Sequence, residues 1–237
     1  MPDVISHYRL LNKIGSGGMG TVYRARDTRT GETVSVKVLH QHLAEDPDYI
    51  KRFQREARIA QSLDSPRIVR VLEAGRDGDR HFLVMEHVEG KNLAQVIGKE
   101  GALPIDRAVD ITSQIAEALE VAHRQGVVHR DIKPGNVIVM PGGQVKVADF
   151  GVARALGQST MTATGMMFGT PEYMSPDHLS GTVDIRSDIY SLGVVLYQML
   201  AGTVPFESDT PWAVLDMHRT RVPPPLKMIF ESSGEKP

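Results

Sequence analysis

Apolar positions along the chain repeat first every second residue and later every third or fourth. Residues 8–12, 33–39, 68–74 and 81–85 each read as a short strand, the last two joined by the polar turn Arg76-Asp77-Gly78-Asp79. Arg29-Thr30-Gly31-Glu32 reads as a turn before the second strand. Asp46 as N-cap and Pro47 at the first helical position open a helix expected to reach about residue 63, with Phe53, Ala57 and Ala60 at helical spacing. A short helix is expected over 93–97. A long one starts at Leu103-Pro104, with Ile105, Ala108, Val109, Ile115, Ala116, Leu119 and Ala122 on an i, i+3, i+4, i+7 pattern, and stops at Gln125-Gly126. Val127-Val128, Val137-Ile138-Val139 and Val145-Lys146-Val147-Ala148 are short strand-like runs around polar loops. Asp184 opens a buried helix over 184–200, and 211–218 reads as one more helix. Strands with one helix come first and helices dominate afterwards, which predicts an α+β fold.

The chain has 237 residues, enough for one large domain or two lobes. Its 41% apolar and 24% charged content is that of a globular protein rather than a disordered one. A net charge of −2 gives no bias toward nucleic acid or acidic membranes. The absence of cysteine excludes disulfides, cysteine zinc sites and a thiol nucleophile, and fits a cytoplasmic location. The N-terminus lacks the pattern of a signal peptide, and the apolar run 190–200 is too short to span a bilayer and carries Gln198.

Candidate chemistry concentrates in one polar loop, His129-Arg130-Asp131-Ile132-Lys133-Pro134-Gly135-Asn136. Asp149-Phe150-Gly151 follows at the end of a strand-like run. Asp131, Asn136 and Asp149 are thereby expected on neighbouring loops, a base beside one or two Mg2+ ions. Near the N-terminus, Ile14-Gly15-Ser16-Gly17-Gly18-Met19-Gly20-Thr21-Val22 is a glycine-rich hairpin. Its glycines let backbone lie against phosphate oxygens without a Cβ between them. β-branched and aromatic residues follow it, so a strand is expected where a dinucleotide-binding unit would open a helix. Lys37 is embedded in an apolar strand and needs a partner.

The pattern H-R-D-x-K-x-x-N followed by D-F-G resembles the catalytic and metal loops of protein kinases. The likeness covers residues 8 to about 220 and is nearest to bacterial eukaryotic-like (Hanks-type) serine/threonine kinases; Lys133 and Thr170 are the Ser/Thr forms of their motifs. It implies a two-lobed protein kinase fold: residues 1–86 an N-lobe of antiparallel sheet plus one helix, 87–221 a mostly helical C-lobe, and 222–237 an irregular tail. It implies ATP in the cleft, with Mg2+ or Mn2+ as cofactor, and transfer of the γ-phosphoryl group to Ser or Thr hydroxyls of proteins. Asp131 would accept the hydroxyl proton and Lys133 would stabilise the moving phosphoryl group. Asn136 and Asp149 would bind metal. Ile14, Gly15, Ser16, Gly17, Gly18, Gly20 and Val22 would cover the nucleotide. Lys37 would hold the α- and β-phosphates, with Glu56 pairing to it. Met85 would be the gatekeeper, and the backbones of Glu86 and Val88 would bond adenine. Thr160, Thr162 and Thr164 would be phosphosites of an activation segment that Arg130 can pair with, Thr170 would lie in the substrate loop, and Asp188 would anchor the catalytic loop from below.

Three departures stand out. Ser35 replaces the alanine usual in V-A-I-K. Asp177 stands where the family's A-P-E-like motif has Glu, and after residue 220 no pattern matches the family's last helices and their arginine. Buried without a partner, Asp177 would cost about 3–5 kcal/mol. Two further classes fit less of the chain: an ATP-binding scaffold or pseudokinase with a degenerate C-lobe, and a small-molecule kinase. The cytoplasmic part of a membrane-anchored receptor kinase is also open, as is a homodimer paired through the N-lobe.

Overall fold

The computed structural model describes residues 3–150 and 170–227. The first half of the chain builds a six-stranded antiparallel sheet from β1 (Val4–Ile5), β2 (Tyr8–Gly17), β3 (Gly20–Asp27), β4 (Thr33–Leu39), β5 (Val71–Asp77) and β6 (Arg80–Glu86), in the order β1-β2-β3-β4-β6-β5. β2 and β3 close on the Gly17–Gly20 pair, so the glycine-rich segment is the tip of a hairpin. A Cβ on Gly20 would lie 2.2 Å from the Val38 carbonyl oxygen, so glycine is what lets β3 approach β4 there.

The short α1 (Gln41–Ala44) and then α2 (Pro47–Gln61) pack against this sheet. Asp46 caps α2 by accepting the Asp48 and Tyr49 N–H groups, as its position before Pro47 predicts. Tyr49, Phe53, Ala57 and Ala60 meet Leu39, Leu83 and Met85 in one core. The opposite face buries Ile5, Tyr8, Leu10, Val34, Val36, Phe82 and Val84.

The second half is helical. β7 (Lys91–Asn92) leads into α3 (Leu93–Glu100), where Asn92 and Gln95 form a reciprocal capping box. α4 (Ile105–Arg124), α5 (Asp177–Ser180), α6 (Ile185–Ala201) and α7 (Pro211–Thr220) follow. β8 (Val137–Val139) and β9 (Val145–Val147) complete a small sheet with β7. Ile111, Ile115, Ala118, Leu119 and Ala122 of α4 share a core with Leu192, Val195 and Met199 of α6 and with Val137, Val145 and Val147. Asp184 caps α6 with a second reciprocal box through Ser187. Two lobes result, one sheet-rich and one helical.

Several boundaries differ from the pattern-based expectation. β5 starts at Val71 rather than 68 because Ile68 and Val69 bond elsewhere: Ile68 bridges Val147, and the Val69 N–H donates to the Val147 carbonyl, 2.9 Å. α2 ends at Gln61 and α3 extends to Glu100. Asp177 is half-exposed at the start of α5, so the penalty for burying an unpartnered carboxylate does not arise.

Candidate active site

Three segments converge where the lobes meet: β4, the loop between α4 and β8, and the end of β9. The loop after α4 is shaped by Asp188, a carboxylate only 1% exposed in the first turn of α6. Its oxygens accept the backbone N–H groups of His129 and Arg130, both at 2.8 Å, and lie 2.7 Å from His123 Nε2. Arg130 sits at φ +70°, where an L side chain is strained by about 1–3 kcal/mol. Asp188 thus braces the strained start of the loop through two backbone N–H groups.

His129 is fully buried, and both ring nitrogens are used. Nε2–H donates to the Ala148 carbonyl at 2.9 Å, and Nδ1 accepts the Asp131 N–H at 3.2 Å, which fixes the neutral tautomer. The ring also meets Phe150 edge-on, centroids 4.6 Å apart. One imidazole thereby ties the Asp131 loop to the Asp149 loop.

Asp131 is held from both sides. Lys133 Nζ lies 2.9 Å from Oδ1 and 2.7 Å from Oδ2. The Asn136 amide donates to the Asp131 carbonyl at 2.8 Å and to Oδ2 at 3.0 Å. Asn136 spends its amide N–H groups inward, leaving its Oδ1 as the acceptor that can serve a cation.

Across the cleft, Lys37 Nζ lies 2.9 Å from both oxygens of Asp149. Lys37 is buried, which answers the question its apolar strand raised. Burial alone would raise the Asp149 pKa, but Lys37, with Lys133 behind it, outweighs it and holds the carboxyl below its ordinary value. Asp149 itself has φ +64°, the second strained residue of the site. Glu56 is buried on the inward face of α2, 4% exposed.

Met85 is buried and Glu86 half-buried at the end of β6, and Val88 is half-buried in the link that follows. Ile14 is exposed, Val22 half-buried, and a Cβ on Gly17 or Gly18 would meet nothing within 4 Å. Gly15 and Ser16 pair with Val22 and Thr21 in the hairpin. Thr170 is half-buried before a 3-10 turn, Pro171–Tyr173, that Tyr173 pins to α6 through a 2.7 Å bond to Gln198. Thr160, Thr162 and Thr164 lie outside the described residues, as does the tail from 228 on.

The donor set fits a magnesium site. Mg2+ usually takes one or two carboxylates and completes its shell with phosphate oxygens and water. Asp149 and Asn136 supply that kind of partial set, and among the described residues no group of three or more His, Cys, Asp or Glu offers a dedicated cage.

Residues 8–231 match the family model described as protein kinase domain. The chain belongs to the protein kinase domain family. It is 43% identical over 225 residues to the serine/threonine-protein kinase PknA of Mycobacterium tuberculosis, covering 92% of this chain and 52% of PknA. A Clostridium perfringens protein named as a probable serine/threonine-protein kinase is 42% identical over 228 residues, covering 96% of this chain and 33% of that protein. The chain thus spans about a third to a half of the length of these relatives. The crystal structure of the Mycobacterium tuberculosis PknI kinase domain superposes with a TM-score of 0.75 at 26% identity, covering 98% of this chain and 84% of that one. Among the described residues of this kinase domain, no helix is long and apolar enough to cross a membrane.

Several contacts of this kinase domain were not read from sequence. His123 on Asp188 had one signal, a basic side chain in the last turn of α4. Lys146 on Glu86 and Ser35 on His87 join residues 60 and 52 positions apart, and no local pattern pairs them.

Proposed function

We propose that this kinase domain transfers the γ-phosphoryl group of ATP to serine or threonine hydroxyls of proteins, and that it works on the cytoplasmic side. The observation that carries the reading is the pair of opposed, pre-held carboxylates: Asp131 fixed by Lys133 and Asn136, and Asp149 fixed by Lys37.

Each residue then has a task that its surroundings support. Asp131 presents an acceptor oxygen, orients the attacking hydroxyl and takes its proton. Lys133, 2.7 Å from that carboxylate, is placed to stabilise charge on the moving phosphoryl group. Lys37 exchanges part of its contact with Asp149 for nucleotide phosphates. Asp149 and Asn136 would hold Mg2+, which when bound neutralises phosphate charge. The hairpin tip around Gly17 and Gly18 has room to lie over the phosphates. Ile14, Val22, Met85 and the backbones of Glu86 and Val88 would enclose the base. Glu56 positions Lys37, and Thr170 lies in the acceptor loop. Most of the acceleration is placement and charge compensation.

The test is transfer of labelled γ-phosphate from Mg-ATP to a generic basic protein and to the chain itself, with Asp131→Asn alongside. Incorporation that the substitution abolishes while nucleotide binding persists is expected. Binding without transfer in the unsubstituted protein would sink the reading in favour of an ATP-binding scaffold. Replacing Thr160, Thr162 and Thr164 together tests autophosphorylation: unchanged self-labelling excludes them as acceptors.

A further inference from the structure

The link after β6 carries a side-chain contact that the family's usual sequence could not make. Ser35 stands where the V-A-I-K strand has alanine, and its hydroxyl lies 3.0 Å from His87 Nδ1. In register, Ser35 faces Met85 on β6 and Arg24 on β3. It is two residues from Lys37 and so on the same face of β4, the face from which Lys37 reaches Asp149. Ser35 is therefore buried over the cleft, one pleat away from the phosphate lysine.

Burial, and then the charge of Arg24, lower the His87 pKa, so the ring is neutral near pH 7. Nδ1 then accepts the Ser35 O–H, with the ring proton on Nε2. A protonated ring would donate Nδ1–H to the same oxygen, so the contact holds in either state.

His87 lies between Glu86 and Val88. Glu86 is anchored separately: its Oε1 accepts Lys146 Nζ at 2.5 Å and the Arg70 N–H at 2.8 Å, and its own N–H donates to the Arg70 carbonyl at 3.0 Å. Glu86 is thus tied to β9 and to residue 70, and His87 to β4. Glu86 and the His87 side chain are thereby held before any ligand arrives.

We propose that Ser35 and His87 form a latch that pre-sets this link for the adenine base, making them positioning residues for nucleotide. The proposal deepens the ATP reading and rests on it. A pre-set edge lowers the ordering cost of binding and leaves the chemical step alone. The latch should therefore act on nucleotide affinity and not on turnover.

The experiment uses the whole chain and the variants Ser35→Ala, His87→Phe and their combination. KM for ATP and kcat are measured, with Mg-ADP affinity by calorimetry as a readout independent of transfer. Loss of one neutral hydrogen bond predicts that each single variant raises KM and the ADP Kd by about threefold to tenfold. The kcat should stay within about twofold, and the double variant should be no weaker than the weaker single one. Ser35→Ala restores the family's usual residue, so the strand has room for it. Unchanged affinity in both single variants, or effects that multiply in the double variant, would overturn the latch. An unsubstituted protein that binds no Mg-ADP would overturn the ATP reading beneath it, a distinguishable outcome.

Discussion

Removal of the Asp188 carboxylate is the sharpest test of how the site is held. Asp188→Ala deprives the His129 and Arg130 N–H groups of acceptors and takes a partner from His123. A buried donor left unsatisfied costs about 1–3 kcal/mol, so two such donors and one imidazole put the loss at about 3–5 kcal/mol. Relaxation of Arg130 away from φ +70° returns part of that, but only by letting the residue before Asp131 change shape. Asp188→Asn keeps one acceptor oxygen and sets an NH2 group against the other N–H, so the smaller part of the loss is expected. Urea denaturation reads the effect. With a slope of about 3 kcal/mol per molar, the Ala variant should lower the midpoint by about 1 M or more. Transfer activity, assayed where the variant is still folded, should fall as well. A midpoint unmoved within about 0.2 M would show that the loop holds its strained form without the carboxylate, and the clamp argument would fail.

Three further outcomes are expected. Gln114→Leu should cost about 2–4 kcal/mol in thermal or chemical denaturation, because this buried amide satisfies Arg67, the Val145 N–H, Asp110 and the Gly143 carbonyl at once. Gly20→Ala should destabilise by about 1–3 kcal/mol because of the close approach to Val38, whereas Gly18→Ala should leave stability unchanged and raise only the KM for ATP. Asp149 and Asp188 both have folded pKa values below the ordinary carboxylate range, Lys37 and His123 respectively outweighing burial. Their stabilisation is therefore complete above the unfolded value of about 4 and is lost as pH falls through the lower folded values. Acid denaturation should show that limb, and Asp149→Asn should flatten it.

The parts legible in the sequence were those where chemistry is local. Asp131, Lys133 and Asn136 lie within six residues, and the loop they form has little freedom once Asp188 clamps its start. Helix α4 announced itself through its apolar period, and α2 through the Asp46-Pro47 cap. What stayed hidden depends on which backbone group finds which partner. Ile68 and Val69 look like the start of β5, yet their bonds run to Val147; apolar content is the same for either partner. α1 and β7 are too short to carry a period, at four and two residues. Gln114 in the middle of α4 gave no sign of being a junction, because three of the four groups it satisfies arrive from residues 29 to 47 positions away.

The bridge between Ile68 and Val147 has a kinematic consequence. Two rigid bodies joined at one point keep three rotations; joined at two, they keep one. The lobes are joined by the covalent link through Glu86 and again where Val147 exchanges backbone bonds with Arg67 and Val69. The line through these joints is an axle. Any turn about that line would move Asp149, two residues beyond Val147, only slightly. The carboxylate that meets Lys37 thus sits next to the place where the two lobes are joined.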